Sequence, residues 1–236
     1  LNEGGAKESC RSSYGDSLAF KSFFNHIYFL PLGRQCYNLF VKTSDRILNA
    51  ATIAFGENGY DGTSLDSLAK ELGIRKQSIL YHYPTKEALL DASVFGAIEV
   101  LATVLSDAVR DSEEGWDRIE IMVRKVFRLA IQRPELLGLL REVSRLGPPT
   151  LTKAIKGFDP LIQGATDWLK SEMDIGRIRE SDPYLLVISV YSVIMGAATE
   201  GNLLEAIGIR QTPRDVVLRR KELLRFLRSA LIPAVN

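Results

Sequence analysis

Residues 63–86 read TSLDSLAKELGIRKQSILYHYPTK, and the spacing of apolar and turn-forming residues in this stretch decides the fold. Ser64 is a typical N-cap residue for a short helix. The apolar residues that follow recur at the spacing of one helix face: Leu65, Leu68, Ala69 and Leu72. Gly73 can adopt the backbone that a tight turn requires, and Lys76 to Tyr83 is predicted to form a second short helix. The sequence therefore predicts two short helices joined through a glycine.

Similar signals continue on both sides of this pair. Upstream, the polar run Thr43-Ser44-Asp45 is predicted to cap a helix that ends before Gly59. One face of that helix is apolar and carries Ile47, Leu48, Ala51, Ala54 and Phe55. Downstream, Pro84 ends the second short helix, and Thr85 is predicted to cap a long helix beginning at Lys86. The inward-facing residues of the second short helix are predicted to be Ile79 and Tyr83.

Beyond Asp91 the pattern stays helical to the end of the chain. Asp182 before Pro183 combines a capping side chain with proline at the first helical position. Helix-breaking residues separate predicted helices of about 13 to 25 residues. These breakers are Gly115, Pro134, Gly147-Pro148-Pro149, Gly176, Pro183, Gly208 and Pro213. We find no alternating strand-like run, internal repeat or glycine-rich phosphate loop, so the predicted fold class is all-α.

The first forty residues differ in composition from the rest. Glycine and serine are frequent up to Ser17, and aromatic side chains are frequent between Phe20 and Phe40. Residues 1–40 are interpreted either as a weakly ordered N-terminal extension or as containing an extra helix, from about Ser17 to Phe29, that packs on the fold. The sequence does not choose between these alternatives.

The composition is that of a soluble globular protein, with 46% hydrophobic and 25% charged residues. The formal net charge of +1 excludes a uniformly basic protein that coats nucleic acid. All cysteines and histidines precede residue 83: Cys10, His26, Cys36 and His82. The rest of the chain therefore holds no Ser–His or Cys–His pair and no histidine-bound metal. We therefore expect no catalytic residues, no metal and no cofactor. We also expect a cytoplasmic location, because two cysteines make no disulfide framework.

The segment from Leu18 to Leu32 is the most membrane-like part of the sequence. It is interrupted by Lys21, Asn25 and His26, and it is shorter than the about 20 apolar residues that a bilayer requires. It also lacks the basic start and the small-residue cleavage site of a signal peptide. We expect no other segment to be as suited to a bilayer in length and composition, and hence no membrane partner.

The second short helix begins with a polar and basic cluster, namely Arg75, Lys76, Gln77 and Ser78. Two short helices joined through glycine, with such a cluster at the start of the second, are typical of a helix-turn-helix whose second helix enters the major groove of DNA. Arg or Lys can form two hydrogen bonds with guanine, and Gln can do so with adenine. The helix N-termini at Thr63-Ser64 and Thr85-Lys86 are suited to phosphate, with Tyr81 and His82 between them. A helical adaptor, the non-enzymatic alternative, leaves this basic helix unexplained.

Residues 44–90 closely resemble the N-terminal domain of tetracycline-repressor (TetR) family repressors. The matching features are Ala50-Ala51 to Phe55, Gly59-Tyr60, Thr63-Ser64, Ala69, Gly73-Ile74, Tyr81-His82-Tyr83 and Lys86-Glu87-Ala88-Leu89. The resemblance implies that one set of residues faces DNA bases: Arg75, Lys76, Gln77, Ser78 and Tyr81. It implies that a second set lies on phosphates: Thr63, Ser64, His82 and Lys86. Leu80 departs from the family pattern, which usually has tyrosine there.

The resemblance divides the chain into an N-terminal DNA-binding domain (residues 41–90) and a C-terminal domain for ligand binding and dimerisation (residues 91–236). A homodimer is expected because one short helix reads few base pairs and a two-fold operator matches a two-fold protein. Helices 183–207 and 213–231 are predicted to form the interface. Their apolar residues are Leu186, Val190, Val193, Ile194 and Ala197, then Val217, Leu224, Leu227 and Leu231. A helix pair buried within one subunit is the alternative.

The family implies a small-molecule effector that controls binding to a double-stranded, palindromic DNA operator. Apolar or amphipathic chemistry is expected, because pockets in helical proteins are mostly apolar. The candidate pocket residues are the large aromatic side chains of the C-terminal domain, although such residues are also common in plain cores. They are Phe95, Trp116, Phe127, Phe158, Trp168 and Tyr191. The implied function is a ligand-released repressor.

Overall fold

The computed structural model describes residues 42–209 and 212–233. Within these ranges the chain forms ten α-helices and no β-strand, which confirms the all-α prediction. The helices are α1 (Thr43–Gly62), α2 (Leu65–Leu72), α3 (Lys76–His82), α4 (Lys86–Arg110), α5 (Trp116–Gln132), α6 (Pro134–Leu146), α7 (Thr150–Asp174), α8 (Pro183–Thr199), α9 (Gly201–Ala206) and α10 (Pro213–Leu231). Both interpretations of residues 1–40 concern residues outside the described ranges.

Local sequence signals set most of these boundaries. The side chains of Ser64, Thr85 and Asp182 each accept a hydrogen bond from the backbone N–H three residues ahead, as N-caps do. Gly73 ends α2 in the left-handed conformation, with φ of 66°. Gly59 interrupts α1 with φ of 74°, which agrees with the predicted end of the regular helix. These boundaries confirm the predictions made from capping residues and glycines.

Two predicted boundaries are wrong. The N-cap of α1 is Lys42, which makes no capping side-chain hydrogen bond, and the run Thr43-Ser44-Asp45 lies inside the first turn. The predicted helix 183–207 is broken at Glu200, where φ is −81° and ψ is 42°, so the six-residue α9 stands apart from α8. An ion pair of 2.9 Å between Arg141 Nη2 and a carboxylate oxygen of Glu200 ties this break to α6. That contact between distant parts of the chain has no local sequence signal.

The larger hydrophobic core joins the N-terminal and C-terminal domains. It contains buried residues from both, including Ile47 and Phe55 of α1, Ile79 of α3, and Leu137 and Leu140 of α6. Helix α1 packs more extensively on α6 than any other pair of helices in the described part packs together. Helices α1 to α3 are therefore held on the C-terminal helices by continuous apolar packing.

A smaller core cluster lies between α5, α7, α8 and α10. The α8 residues proposed for a dimer interface pack against this cluster inside the same chain: Leu186, Val190, Val193, Ile194 and Ala197. Leu224 and the buried Leu227 and Leu231 of α10 do the same. The α8 residues of this face are half-buried in the single chain and Val217 is exposed, so the predicted interface and its alternative both stay open. The opposite face of α8 is also apolar and exposed, with Tyr184, Leu185, Ile188 and Tyr191.

Helix α4 is long and apolar enough to cross a bilayer by length and composition alone. The expectation that no segment competes with Leu18–Leu32 is therefore wrong. In the fold, apolar side chains of α4 line the larger core, among them Leu89, Val94 and Leu101. A central helix that packs on neighbours along much of its surface has this composition.

Candidate nucleic-acid interface

The α2–turn–α3 unit has one buried side and one exposed side. Leu68 and Ala69 of α2 and Ile79 of α3 enter the larger core. The backbone N–H of Ile74 donates a 3.0 Å hydrogen bond to the carbonyl of Ala69, which closes the turn after Gly73. Since burial of Ile79 fixes the rotation of α3 about its axis, its polar side must face away from the core.

The exposed side of α3 brings together five of the residues predicted to bind DNA. Arg75, Gln77 and His82 are exposed, Ser78 is half-buried, and the side chain of Tyr81 is 84% exposed. The rings of Tyr81 and His82 meet edge to face, with centroids 5.2 Å apart. Together with the start of α1 they border a shallow depression of about 500 Å³, lined by Thr43, Arg75, Gln77, Ser78, Tyr81 and His82.

Lys76 differs from its neighbours because its charge is paired. Its Nζ lies 2.8 Å from a carboxylate oxygen of Asp66 on α2. This partner lies ten positions upstream of Lys76, outside the polar and basic cluster that begins α3. Both side chains are solvent-accessible, so the ion pair is weak.

Thr63 and Ser64 are adjacent but face in opposite directions. Ser64 is exposed and caps α2, where its hydroxyl accepts the N–H of Ser67 at 3.0 Å. Thr63 is only 4% exposed. Its hydroxyl lies 2.8 Å from the carbonyl oxygen of Gly59 and 3.0 Å from that of Ala54. The expected contact between the Thr63 hydroxyl and phosphate does not fit this geometry, and the side chain instead closes the end of α1.

Lys86 lies at the start of α4, where its side chain rests on the ring of Tyr60. Its Nζ is 4.0 Å from the centroid of the Tyr60 ring, within range of a cation–π contact. The Tyr60 hydroxyl donates to a carboxylate oxygen of Glu87, the next residue of α4. Burial, followed by this hydrogen bond and the charges of Glu87 and Asp61, raises the pKa of Tyr60 to about 12. The same hydrogen bond is the main reason that the pKa of Glu87 is lowered.

A cavity lies between the end of α1 and the C-terminal helices, and we call it the interdomain cleft. It has a volume of about 1030 Å³ and is bounded by the end of α1 together with α5, α6, α8, α9 and α10. Its walls combine apolar side chains such as Phe127 and Val216 with charged ones such as Arg141, Glu142 and Arg145. Gly56 and Gly138 also line it, and because they lack side chains the backbones of α1 and α6 come into contact there.

The six aromatic residues predicted to form a ligand pocket do not surround one cavity. Phe127 alone lines the interdomain cleft, and it is almost fully buried beneath it. Phe95 and Tyr191 are exposed on the surface. Phe158 packs on the larger core, and Trp116 and Trp168 pack on the smaller one. Their aromatic character alone did not distinguish core residues from pocket residues.

Comparison with known families agrees with this geometry. Residues 47–93 match the model of bacterial regulatory proteins of the tetR family. The chain is 38% identical over 61 residues to the biofilm operon icaADBC HTH-type negative transcriptional regulator IcaR of Staphylococcus aureus (strain Newman). That alignment covers 26% of this chain and 33% of the length of IcaR. The family match thus covers most of α1, the helix-turn-helix and the start of α4.

Similarity in fold extends much further than similarity in sequence. The structure superimposes on the ketosteroid transcriptional regulator KstR2 of Mycobacterium tuberculosis with a TM-score of 0.63 and 18% identity, covering 82% of this chain and 96% of that one. It superimposes on the fatty acid degradation regulator FadR of Bacillus halodurans with a TM-score of 0.63 and 15% identity, covering 79% and 95%. At such identities the likeness shows that the helical fold is shared.

Proposed function

We propose, on the premise that this chain belongs to the TetR family, that it is a sequence-specific DNA-binding repressor which a small molecule releases from its operator. The observation that carries the proposal is the exposed polar side of α3. Burial of Ile79 directs Arg75, Gln77 and Tyr81 away from the core at one surface. A recognition helix needs this arrangement, because only side chains projecting from the protein reach base edges in the major groove.

Groups suited to phosphate lie around α3. The N-termini of α2 and α4 carry exposed capping hydroxyls at Ser64 and Thr85. Each helix start presents unpaired N–H groups and a partial positive charge. Lys86 and Lys76 add full positive charges, and His82 adds a ring nitrogen. This supports a division of labour in which α3 reads bases while the flanking groups hold the backbone.

We propose that the protein acts as a homodimer through α8 and α10. On α8 the exposed apolar residues are Tyr184, Leu185, Ile188 and Tyr191, and on α10 they are Val217, Leu218 and Phe226. An apolar surface on this scale marks an interaction site in a soluble protein. A second copy is the occupant we favour, because a palindromic operator needs two recognition helices related by two-fold symmetry.

We place the effector in the interdomain cleft. Its volume of about 1030 Å³ suits a small organic molecule, and its walls offer apolar surface together with charged groups. The cleft touches both domains, so an occupant can change their relative position. KstR2 and FadR carry ketosteroid and fatty acid degradation in their names, which favours an apolar or amphipathic effector. The residues for its binding are then those of the cleft rather than the six dispersed aromatic side chains.

The proposed site of action is the cytoplasm, where DNA and metabolites are both accessible. The matched family and its relatives are transcriptional regulators, and we propose no enzymatic activity for this chain.

The proposal is tested by selecting bound sequences from a random double-stranded DNA library with the full chain. A repressor of this type should enrich a palindromic motif with two half-sites about one helical turn apart, or a multiple of it. Arg75→Ala combined with Gln77→Ala should abolish enrichment while the protein stays folded. Absence of any enriched motif, or enrichment that the double substitution leaves unchanged, would show that α3 does not read DNA.

A further inference from the structure

Glu142 is a buried acidic residue of the C-terminal domain that contacts the backbone of the DNA-binding domain. Its side chain lies on α6 and is 9% exposed. Its Oε1 accepts a 2.7 Å hydrogen bond from the backbone N–H of Tyr60. The guanidinium of Arg145 donates to both carboxylate oxygens, at 2.7 and 2.8 Å, and reaches Asp61 at 3.1 Å. Arg145 is the main cause of the lowered pKa of Glu142, so the carboxylate is charged at neutral pH.

The interruption of α1 at Gly59 explains why the backbone N–H of Tyr60 can bind Glu142. Gly59 has φ of 74° and ψ of 173°, so the helix does not continue through it in regular geometry. A Cβ at Gly59 would lie only 3.1 Å from Oε1 of Glu142, which shows how closely the carboxylate approaches this turn. The buried carboxylate therefore accepts the Tyr60 N–H directly after the point where the regular helix ends.

The side chain of Tyr60 extends this contact to α4. Its ring lies under Nζ of Lys86 at 4.0 Å, and its hydroxyl donates to Glu87. One residue thus has its backbone held by α6 and its side chain against the first two residues of α4. A displacement of Tyr60 would move the surface on which the Lys86 ammonium rests.

We infer that Glu142 is a positioning residue for DNA binding, because it fixes Tyr60 and through it places Lys86 against the phosphate backbone. This inference rests on the proposed function. Glu142, Arg145, Gly59 and Asp61 all line the interdomain cleft, so an occupant of the cleft meets this contact directly. The contact gives the C-terminal domain a route to a phosphate-binding group without any change in α3.

The test is a double-mutant cycle between Glu142→Ala and Lys86→Ala, measured as affinity of the full chain for the DNA motif selected above. Each single substitution should weaken binding about tenfold. In the Glu142→Ala background, Lys86→Ala should weaken DNA affinity by less than about twofold, because Lys86 is then no longer held in place. Glu142→Ala should also flatten the slope of log affinity against log salt by about two for a dimer, as Lys86→Ala does.

Two further variants separate positioning from folding. Glu142→Gln keeps an oxygen that accepts the Tyr60 N–H and should preserve the salt slope. Glu200→Gln removes a different ion pair of α6, the one that Arg141 makes with Glu200, without touching the DNA-binding domain, and should also preserve the salt slope. A purely structural role would lower the thermal midpoint while leaving the slope unchanged.

Additive effects of Glu142→Ala and Lys86→Ala would overturn the inference. If Glu142→Ala does not fold, the inference is tested with Glu142→Gln, which keeps an acceptor for the Tyr60 N–H. A salt slope that is flattened in Glu142→Gln would contradict a role of Glu142 through that N–H. A wild-type chain that selects no DNA motif refutes both the proposed function and this inference. A wild-type chain that binds its motif with an unchanged salt slope in Glu142→Ala refutes the inference alone.

Discussion

Gly56 of α1 and Gly138 of α6 bring the two domains together backbone to backbone. A Cβ on Gly138 would lie 2.5 Å from the carbonyl oxygen of Gly56, closer than van der Waals contact permits. A Cβ on Gly56 would likewise collide with the carbonyl group of Glu135. Because the obstructing atoms belong to the backbone, no side-chain rotation relieves the overlap. The close packing of the DNA-binding domain on α6 thus depends on glycine at both positions.

Gly138→Ala is therefore expected to destabilise the protein. The overlap lowers the free energy of unfolding by about 1–3 kcal/mol, whereas replacing a helical glycine with alanine raises it by at most about 1 kcal/mol. The free energy of unfolding, measured by denaturant titration, should fall by roughly 1 kcal/mol. Gly164→Ala in α7 is the matched control, because its Cβ would meet no atom within 4 Å and should raise stability. Equal stability of the two variants would contradict the close approach.

Sequence signals predicted the fold wherever a boundary is set by nearby residues. Ser64, Thr85 and Asp182 cap their helices because the required N–H lies three residues ahead. The break at Glu200 was missed because Gly201, the glycine that directly follows it, was not counted among the helix-breaking residues. Helix α8 is apolar on all sides, so hydrophobic periodicity could not tell its internal face from its exposed one. Interior glycines at positions 56 and 138 were the available sign of close packing.

The candidate site was predicted in part. The polar start of α3 was identified, since basic and amide side chains between two short helices are a specific pattern. The inward orientation of Thr63 and the pairing of Lys76 with Asp66 depend on how α1, α2 and α3 pack together, which single-residue chemistry does not show. The cleft was missed because α1 and five helices of the C-terminal domain build it jointly.

Thr63→Val should reduce stability without affecting DNA binding. The substitution preserves the shape of a buried side chain but removes the hydroxyl that contacts the carbonyls of Ala54 and Gly59. We expect a loss of about 0.5–1.5 kcal/mol in the free energy of unfolding and no change in the salt dependence of DNA affinity. Thr63→Ser keeps the hydroxyl and serves as the control. A salt slope lowered in Thr63→Val would mean that this hydroxyl binds phosphate after all.

Alkaline pH should weaken the contact between Tyr60 and α4. The pKa of Tyr60 is raised to about 12, so the folded state holds the phenolic proton more tightly than the unfolded state does. The resulting stabilisation is complete below about pH 10 and is lost as the pH rises from about 10 to about 12. Stability against pH should therefore fall more steeply in this window for the wild type than for Tyr60→Phe. In the Glu87→Gln background the difference in steepness between Tyr60 and Tyr60→Phe should shrink. An unchanged difference would exclude Glu87 as a cause of the raised pKa of Tyr60.

Ile188→Asp should convert the proposed dimer to a monomer. Ile188 is 56% exposed on the outer face of α8, and a charge there would be tolerated in water but not in an apolar interface. Ile175→Asp is a matched control, since that isoleucine is also 56% exposed but follows α7. Sedimentation at micromolar concentration should give a monomer for the first variant and a dimer for the second. A wild-type monomer would contradict the proposed assembly.

Gln77 and Lys86 should affect DNA binding in different ways. Gln77 is exposed on α3, where its amide can both donate to and accept from a base edge. Gln77→Ala should relax preference at one position of each half-site, at a cost of about 1–3 kcal/mol against the wrong base, with little change in salt dependence. Lys86 lies at the N-terminus of α4 on the Tyr60 ring, where its charge and the helix dipole both favour phosphate.

Lys86→Ala should therefore weaken binding to the selected motif and to random DNA by the same factor. It should also lower the slope of log affinity against log salt by about two, since a dimer loses one phosphate contact in each subunit. The measurement compares the motif, its single-base variants and random DNA at several salt concentrations for both proteins. Altered base preference in Lys86→Ala with an intact slope would reverse the two roles, because only a group on a base edge distinguishes sequences without releasing counterions.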